Sequence, residues 1–257
     1  MAVVLEKKIK FDEDVLSIVK GMEWDNDGKL GKITGGQLDR KLYEKTNKAL
    51  SAMGGQWNRK AGGHIFAYDP RPQVEGLLDN GVLTIEKDGF FETPLAVCKR
   101  MFELIKPCYD PGEEITVLEP SAGLGAIANA LVAAGVSSKD IYCIEKNAQR
   151  CEVLQETFGH VVNVDFLIYD GMGFDLIYMN PPFELQQDID HIKHAYSLLN
   201  PAGNLVSVMG EGSFFREDKK AIEFREWLDS VGGYSEKLPE GSFKESGTMV
   251  NTRLVII

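Results

Sequence analysis

From Phe90 onward the chain alternates short apolar runs with stretches of helical period, and no other feature restricts its fold as much. The apolar runs fall at 115–119, 140–145, 160–164, 174–179 and 203–209. Helical stretches fall at 94–106, 124–134, 147–157, 186–199 and 217–230. A strand that is apolar on both sides must be covered on both sides. The alternation therefore predicts a mostly parallel sheet with helices on either face. The final segment, "TMVNTRLVII", is β-branched and predicts a closing strand, read as the last element of the fold. Residues 1–85 read differently: they are polar and broken by "DNDG", "GG", "AGG" and "DPRP". The chain thus divides on sequence into a small N-terminal part, 1–85, and an α/β part, 86–257.

Composition excludes several classes. With 257 residues, 44% of them hydrophobic and 26% charged, the chain can bury a sizeable core. No apolar run reaches the roughly 18 residues that a membrane span needs. The opening "MAVVLEKKIK" places lysines after the apolar run, the reverse of a secretory signal. Cys98, Cys108, Cys143 and Cys151 lack C-x-x-C spacing. Three of the four sit among apolar neighbours, which predicts buried free thiols in a reducing cytoplasm and not a zinc site. The net charge of −11 argues against a general nucleic-acid coat protein. Between Asp39 and His64, however, six basic residues (Arg40, Lys41, Lys45, Lys48, Arg59, Lys60) face two acids (Asp39, Glu44). That stretch carries +4 and the remainder −15, a pattern suited to touching phosphate at one place.

The segment "ITVLEPSAGLGAIANAL", 115–131, reads as strand, glycine turn and helix, the layout of a nucleotide-type site. Gly123 and Gly125 would let the backbone approach a ligand where a side chain would collide. Glu145, in "DIYCIEKN", ends the second strand, where an acid can accept from both hydroxyls of a ribose; dinucleotide folds share that acid. After the third strand, Asp165 is placed to accept from an exocyclic amine and Phe166 to cover an adenine ring.

These residues, taken in order with "NPPF" after the fourth strand, resemble the class I S-adenosylmethionine-dependent methyltransferases. "NPPF" resembles the subset that methylates exocyclic nitrogens. "GFFETPLAVCKRM", 89–101, resembles the motif that contacts the methionine end of the cofactor. Its position ahead of "EPSAGLGA" resembles the gamma-type motif order of DNA adenine-N6 methyltransferases, and "FKESGTMVNTRLVII" resembles their late motif. The matches cover residues 86–257. The resemblance implies a Rossmann-like seven-stranded sheet with an antiparallel closing strand. It implies S-adenosylmethionine held by Phe91, Thr93, Pro94, Glu119, Pro120, Ser121, Ala122, Gly123, Gly125, Glu145, Lys146, Asp165, Phe166 and Asn180. It also implies that Asn180, Pro181, Pro182 and Phe183 are catalytic, on an adenine swung out of double-stranded DNA. A bacterial, phage or mobile-element origin accompanies it.

The chemistry explains the residue types. The lone pair of an adenine N6 amine is delocalised into the ring, which makes it a poor nucleophile. Asn180 can accept one N–H through its side-chain oxygen, and the Pro181 carbonyl can accept the other. Consecutive prolines fix φ and donate nothing, so the turn is stiff. Phe183 offers a flat face to the base, and Phe214 or Phe215 of "GEGSFFRED" could add another contact. Such positioning can supply roughly 7–11 kcal/mol of the barrier.

In the N-terminal part, Leu38, Leu42, Lys45 and Ala49 mark one face of a helix over 38–53. "QW", "NRKAGG" and "HIF" predict a hairpin with a basic tip. Helix and hairpin together suggest a small α+β, winged-helix-like domain in which Arg40, Lys41, Arg59 and Lys60 bind nucleic acid, with Trp57 in the core. The same part could instead be a cap or a dimer contact. "DNDG" reads as an Asp-Gly turn, because Thr34 stands where a calcium loop needs a bidentate glutamate. His191 and His194 share a helix face, with no third ligand in view, and read as solvated. Two alternatives accompany the DNA reading: an exocyclic amine of RNA or a protein glutamine amide as the acceptor, and a non-catalytic DNA-binding subunit.

Overall fold

The computed structural model describes residues 5–87, 91–106 and 115–257. Cys108 and the Gly89-Phe90 start of the "GFFETP" motif lie outside the described residues. The chain divides into two compact units, Met1–Asp88 and Gly89–Ile257.

The first unit contains β1 (Leu5–Lys10), α1 (Glu13–Lys20), β2 (Glu23–Trp24), β3 (Leu30–Lys32), α2 (Arg40–Ala52), β4 (Gln56–Asn58), β5 (Gly63–Ile65), α3 (Arg71–Asn80) and β6 (Val82–Lys87). Strands β2, β3, β5 and β4 form an antiparallel sheet in that order, and β1 pairs antiparallel with β6. The core is built from Val15, Val19, Ala49, Leu50, Met53, Phe66 and Leu77. The helix and the hairpin read from the sequence are both present. The buried stripe of α2 runs through Thr46, Ala49 and Leu50, whereas Lys45 is exposed and pairs with Asp12. Lys45 therefore does not belong on the apolar face. The Asp39 carboxylate caps α2, accepting from the Lys41 and Leu42 N–H groups at 2.9 and 3.1 Å. The Asp-Gly turn joins β2 to β3, with Gly28 at φ 71°.

The second unit runs α4 (Leu95–Leu104), β7 (Val117–Pro120), α5 (Ala126–Ala133), β8 (Ile141–Glu145), α6 (Ala148–Gln155), β9 (His160–Asn163) and β10 (Phe174–Met179). It continues through α7 (Gln187–Ser197), β11 (Leu199–Gly210), α8 (Gly212–Phe215), α9 (Lys219–Ser230), β12 (Tyr234–Lys237) and β13 (Thr252–Ile256). The sheet has seven strands in the order β12-β13-β11-β10-β7-β8-β9. Only β13 runs antiparallel to its neighbours, β11 and β12. Side chains alternate across each strand, so the two faces feed two cores. Val117, Ile141, Cys143, Tyr178, Val206 and Leu254 point to one, shared with Val97, Met101, Ile127 and Leu131 of α4 and α5. Leu118, Ile144, Ile177, Met179, Leu205 and Val255 point to the other, shared with Ile189 and Ile192 of α7 and Phe224 of α9. Strand order reverses between β7 and β10, which opens a crevice at their carboxyl ends, the place where open α/β sheets bind ligands. Cys98, Cys143 and Cys151 are buried free thiols.

Candidate active site

Strand β7 ends in a turn with three left-handed residues, Ser121 (φ 62°), Gly123 (φ 58°) and Gly125 (φ 78°). Serine rarely adopts that conformation, so the turn is held by its surroundings. The Glu145 carboxylate at the end of β8 supplies part of the hold. Its Oε2 accepts from the Gly123 N–H at 2.8 Å, its Oε1 accepts from the Asn147 N–H at 2.9 Å, and Arg150 stands 3.7 Å from Oε1. Each carboxylate oxygen has a second lone pair, so acceptance from a ligand hydroxyl is chemically compatible with this arrangement. Lys146 is exposed, and its carbonyl accepts from Asn163 at 2.9 Å.

Glu119 is buried within β7, where its Oε2 accepts from the Ala128 N–H at 2.7 Å, in the first turn of α5. Burial pushes its carboxyl up to about 8, against the opposing pull of the Ala128 and Ile127 N–H groups. The side chain ties the strand to the helix beneath the turn. At Gly125 packing alone already demands glycine: a Cβ there would stand 2.7 Å from Leu154 Cδ2 of α6. Pro120 and Ala122 are buried, and the Ala122 N–H donates to the Ile144 carbonyl at 2.9 Å.

After β9, Asp165 is half-buried and its Oδ1 accepts from the Leu167 N–H at 3.0 Å. The Phe166 ring is 3% exposed and packs against His194 (4.8 Å) and His191 (5.8 Å). Both histidines differ from the sequence reading. His191 is buried with Nδ1 2.9 Å from the Gln187 carbonyl, and Nε2 of half-buried His194 lies 2.8 Å from the Tyr169 carbonyl. They pack under Phe166 and are not solvated.

Asn180 follows β10. Its Nδ2 donates to the Phe91 carbonyl at 3.1 Å and to Thr93 Oγ1 at 3.0 Å. A carbonyl can only accept, so the amide nitrogen must face Phe91, and Oδ1 is turned the other way. Among the described residues Oδ1 has no hydrogen-bond partner. Thr93 is itself buried, its carbonyl lies 3.8 Å from the Cys98 thiol, and Pro94 starts α4. Pro181 is buried, and Pro182 and Phe183 are half-buried. Phe91, Phe183 and Phe243 join one apolar cluster, and the Ser246 hydroxyl donates to the Glu92 carbonyl at 2.6 Å. The loop before β13 is thereby anchored beside the "TP" motif.

Phe183 also lines a cavity of about 660 Å³ with Phe215, Arg216, Asn251 and Arg253. The two aromatic candidates separate here. Phe214 packs inward on Phe224 and under the Arg253 guanidinium, whereas Phe215 is 67% exposed at the cavity. Three residues at this wall have no sequence signal. Leu185 (φ 54°) and Gln186 (φ 58°) are consecutive left-handed residues just past "NPPF". Asp188, in the first turn of α7, is buried and accepts from the Gly210 N–H at 3.0 Å and from the Ser213 hydroxyl at 3.3 Å. Burial pushes its carboxyl up to about 6.

In the first unit, Arg40, Lys41, Arg59 and Lys60 are exposed. Arg40 pairs with Glu44 at 2.9 Å. Arg59 and Lys60 sit at the β4–β5 tip, where Asn58 Oδ1 accepts from the Lys60 and Ala61 N–H groups. Trp57 is 50% exposed, which corrects its assignment to the core.

No protein-family model matches the sequence, and the search of curated proteins found no match. Solved structures do match. The methyltransferase subunit of a Streptococcus thermophilus type I restriction-modification system is 19% identical, over 74% of this chain and 48% of that one, with a TM-score of 0.58. The chain thus spans about half the length of that subunit. The type IIG restriction endonuclease BpuSI is 15% identical, over 65% of this chain and 25% of that one, with a TM-score of 0.54. A Listeria monocytogenes protein assigned to the class I S-adenosylmethionine-dependent methyltransferases is 13% identical, over 85% of this chain and 74% of that one, with a TM-score of 0.52. Together with the strand order and the antiparallel β13, these likenesses establish that the chain has the class I methyltransferase fold.

Proposed function

We propose that this protein transfers a methyl group from S-adenosylmethionine to the N6 amine of adenine in DNA. The orientation of Asn180 carries the reading: with Nδ2 tied to Phe91 and Thr93, Oδ1 is presented as an acceptor at the end of β10. The donor set around the crevice suits the cofactor. A turn of left-handed residues ends β7, and carboxylates stand at the ends of β8 and β9. Phe91, Thr93 and Pro94 would lie toward its methionine end, Glu119–Gly125 and Lys146 around its centre, and Glu145, Asp165 and Phe166 toward its nucleoside. When bound, the cofactor supplies a sulfonium methyl.

Asn180 Oδ1 and the Pro181 carbonyl each accept one N–H of the target amine and hold its lone pair out of the ring plane. The bound cofactor would supply the methyl for the new N–C bond, and its sulfur would keep the electron pair of the C–S bond given up. The amine sheds its extra proton after transfer, so no strong base is required. Phe183 and the adjoining cavity have room for a flat base. DNA is favoured as the substrate by the "TP" motif ahead of the glycine turn and by the restriction-modification methyltransferase subunit and the restriction endonuclease among the structural likenesses. Among the described residues no helix is long and apolar enough to cross a membrane, in keeping with a reaction in the cytoplasm. Incubation with methyl-labelled cofactor and DNA, RNA or protein tests the reading. Label in DNA is expected; label in RNA or protein alone overturns the choice of substrate.

A further inference from the structure

The first unit carries a cleft beside an exposed tryptophan. A cleft of about 510 Å³ is walled by Ile33, Leu38, Arg40, Tyr43, Trp57 and Gly62. Trp57 leaves half its surface open there, but its ring is not loose. The Tyr43 ring meets it edge-on at 6.4 Å, and the His64 ring at 5.3 Å and 66°. His64 is fully buried and fixed in turn by Asn47 Oδ1, 2.8 Å from its Nε2. The cleft also takes in Gly36, which like Gly35 is left-handed (φ 95° and 91°), and a Cβ added to either would meet no atom within 4 Å. An exposed indole clamped from behind and open in front is a stacking platform.

Charge selects what stacks there. Arg40 stands in the cleft wall, and Arg59 and Lys60 share the hairpin tip with Gly62. This unit's 39–64 stretch carries the +4 of a chain that is otherwise −15. A flat apolar face with the Arg40 guanidinium in its wall, paired there with Glu44 at 2.9 Å, and with the Arg59-Lys60 turn contributing Gly62 to the lining, matches a nucleobase with its flanking phosphates. We propose that the Trp57 cleft binds an unpaired nucleobase of a nucleic-acid strand, stacked on the indole, with Arg40, Arg59 and Lys60 on the backbone. The cleft is built wholly from residues of the first unit, and its proposed role does not depend on methyl transfer.

A thymine-only single strand has no exocyclic amine and so tests the cleft alone. Its binding to the full chain is measured by anisotropy of a labelled oligonucleotide. Trp57→Ala is expected to raise Kd about tenfold or more, and Asn180→Ala to leave it within about twofold. Arg59→Ala with Lys60→Ala should lower the slope of log K against log salt by about 1.4. In the wild type, saturation should quench tryptophan emission, and Trp57→Phe, which keeps a ring in place, should abolish the quench. The quench comparison remains informative even if Trp57→Ala unfolds. No binding by the wild type, or wild-type affinity in folded Trp57→Ala, overturns the proposal. So does an undiminished quench in Trp57→Phe.

Discussion

At the scale of single residues, the proposed methyl transfer rests on the direction of one amide. Two acceptors hold the Asn180 nitrogen, and one of them is a hydroxyl that can be deleted without changing shape. Thr93→Val should therefore lower kcat about tenfold, with the KM for the cofactor changed less and the thermal midpoint nearly kept. Steady-state kinetics and a melting curve check this. Glu119 makes a second prediction. Below its ordinary 4.5, folded and unfolded chains both hold the proton. As pH rises further the unfolded chain releases it, while the folded chain keeps it until about 8, so folding loses stability across that window. Glu119→Gln cannot ionise. Its stability relative to wild type should rise from pH 5 to pH 8, by on the order of a few kcal/mol, in urea titrations at several pH values. The identities of Asn180 and Glu119 could be read from the sequence. The 89 positions separating Asn180 from Phe91 hid the bond that orients it, and Asp188 looked like any acid on a helix.

At the scale of elements, the strand-turn-helix around Gly125 is the joint that sets the glycine turn against α6. Gly125→Ala adds a Cβ at φ 78° and 2.7 Å from Leu154. It should destabilise the second unit by about 1–3 kcal/mol in chemical denaturation. Elements buried on both faces were legible because burial leaves an apolar run: the span read for β10, 174–179, coincides with Phe174–Met179. Strand β12, "YSEK", was not legible, because an edge strand with half-exposed residues lacks such a run. Neither were the pairings of β1 with β6 and β2 with β3, whose residues are polar or few. Trp57 was misread because an indole next to β-prone residues ordinarily fills a core. Here Phe66 does so, and the tryptophan stays outside.

At the scale of the whole molecule, charge and chemistry are divided between two units. The chain carries −11 overall, whereas its 39–64 stretch carries +4, so under the proposed function phosphate contact is expected at that stretch of the first unit. Replacing Arg40, Lys41, Arg59 and Lys60 by glutamine takes the net charge from −11 to −15, since four positive charges are lost. DNA binding should weaken at all sequences, and its salt slope should fall by up to about 3.6, with cofactor binding unchanged by calorimetry. The central claim is that Asn180 and Pro181 present an exocyclic amine to a sulfonium methyl. It is tested most directly by mapping methylated bases in the DNA of a host expressing the chain, beside a host expressing Asn180→Ala. N6-methyladenine is expected in the first host and its loss in the second. An unmodified amine in the first host, or an undiminished mark in the second, would contradict it.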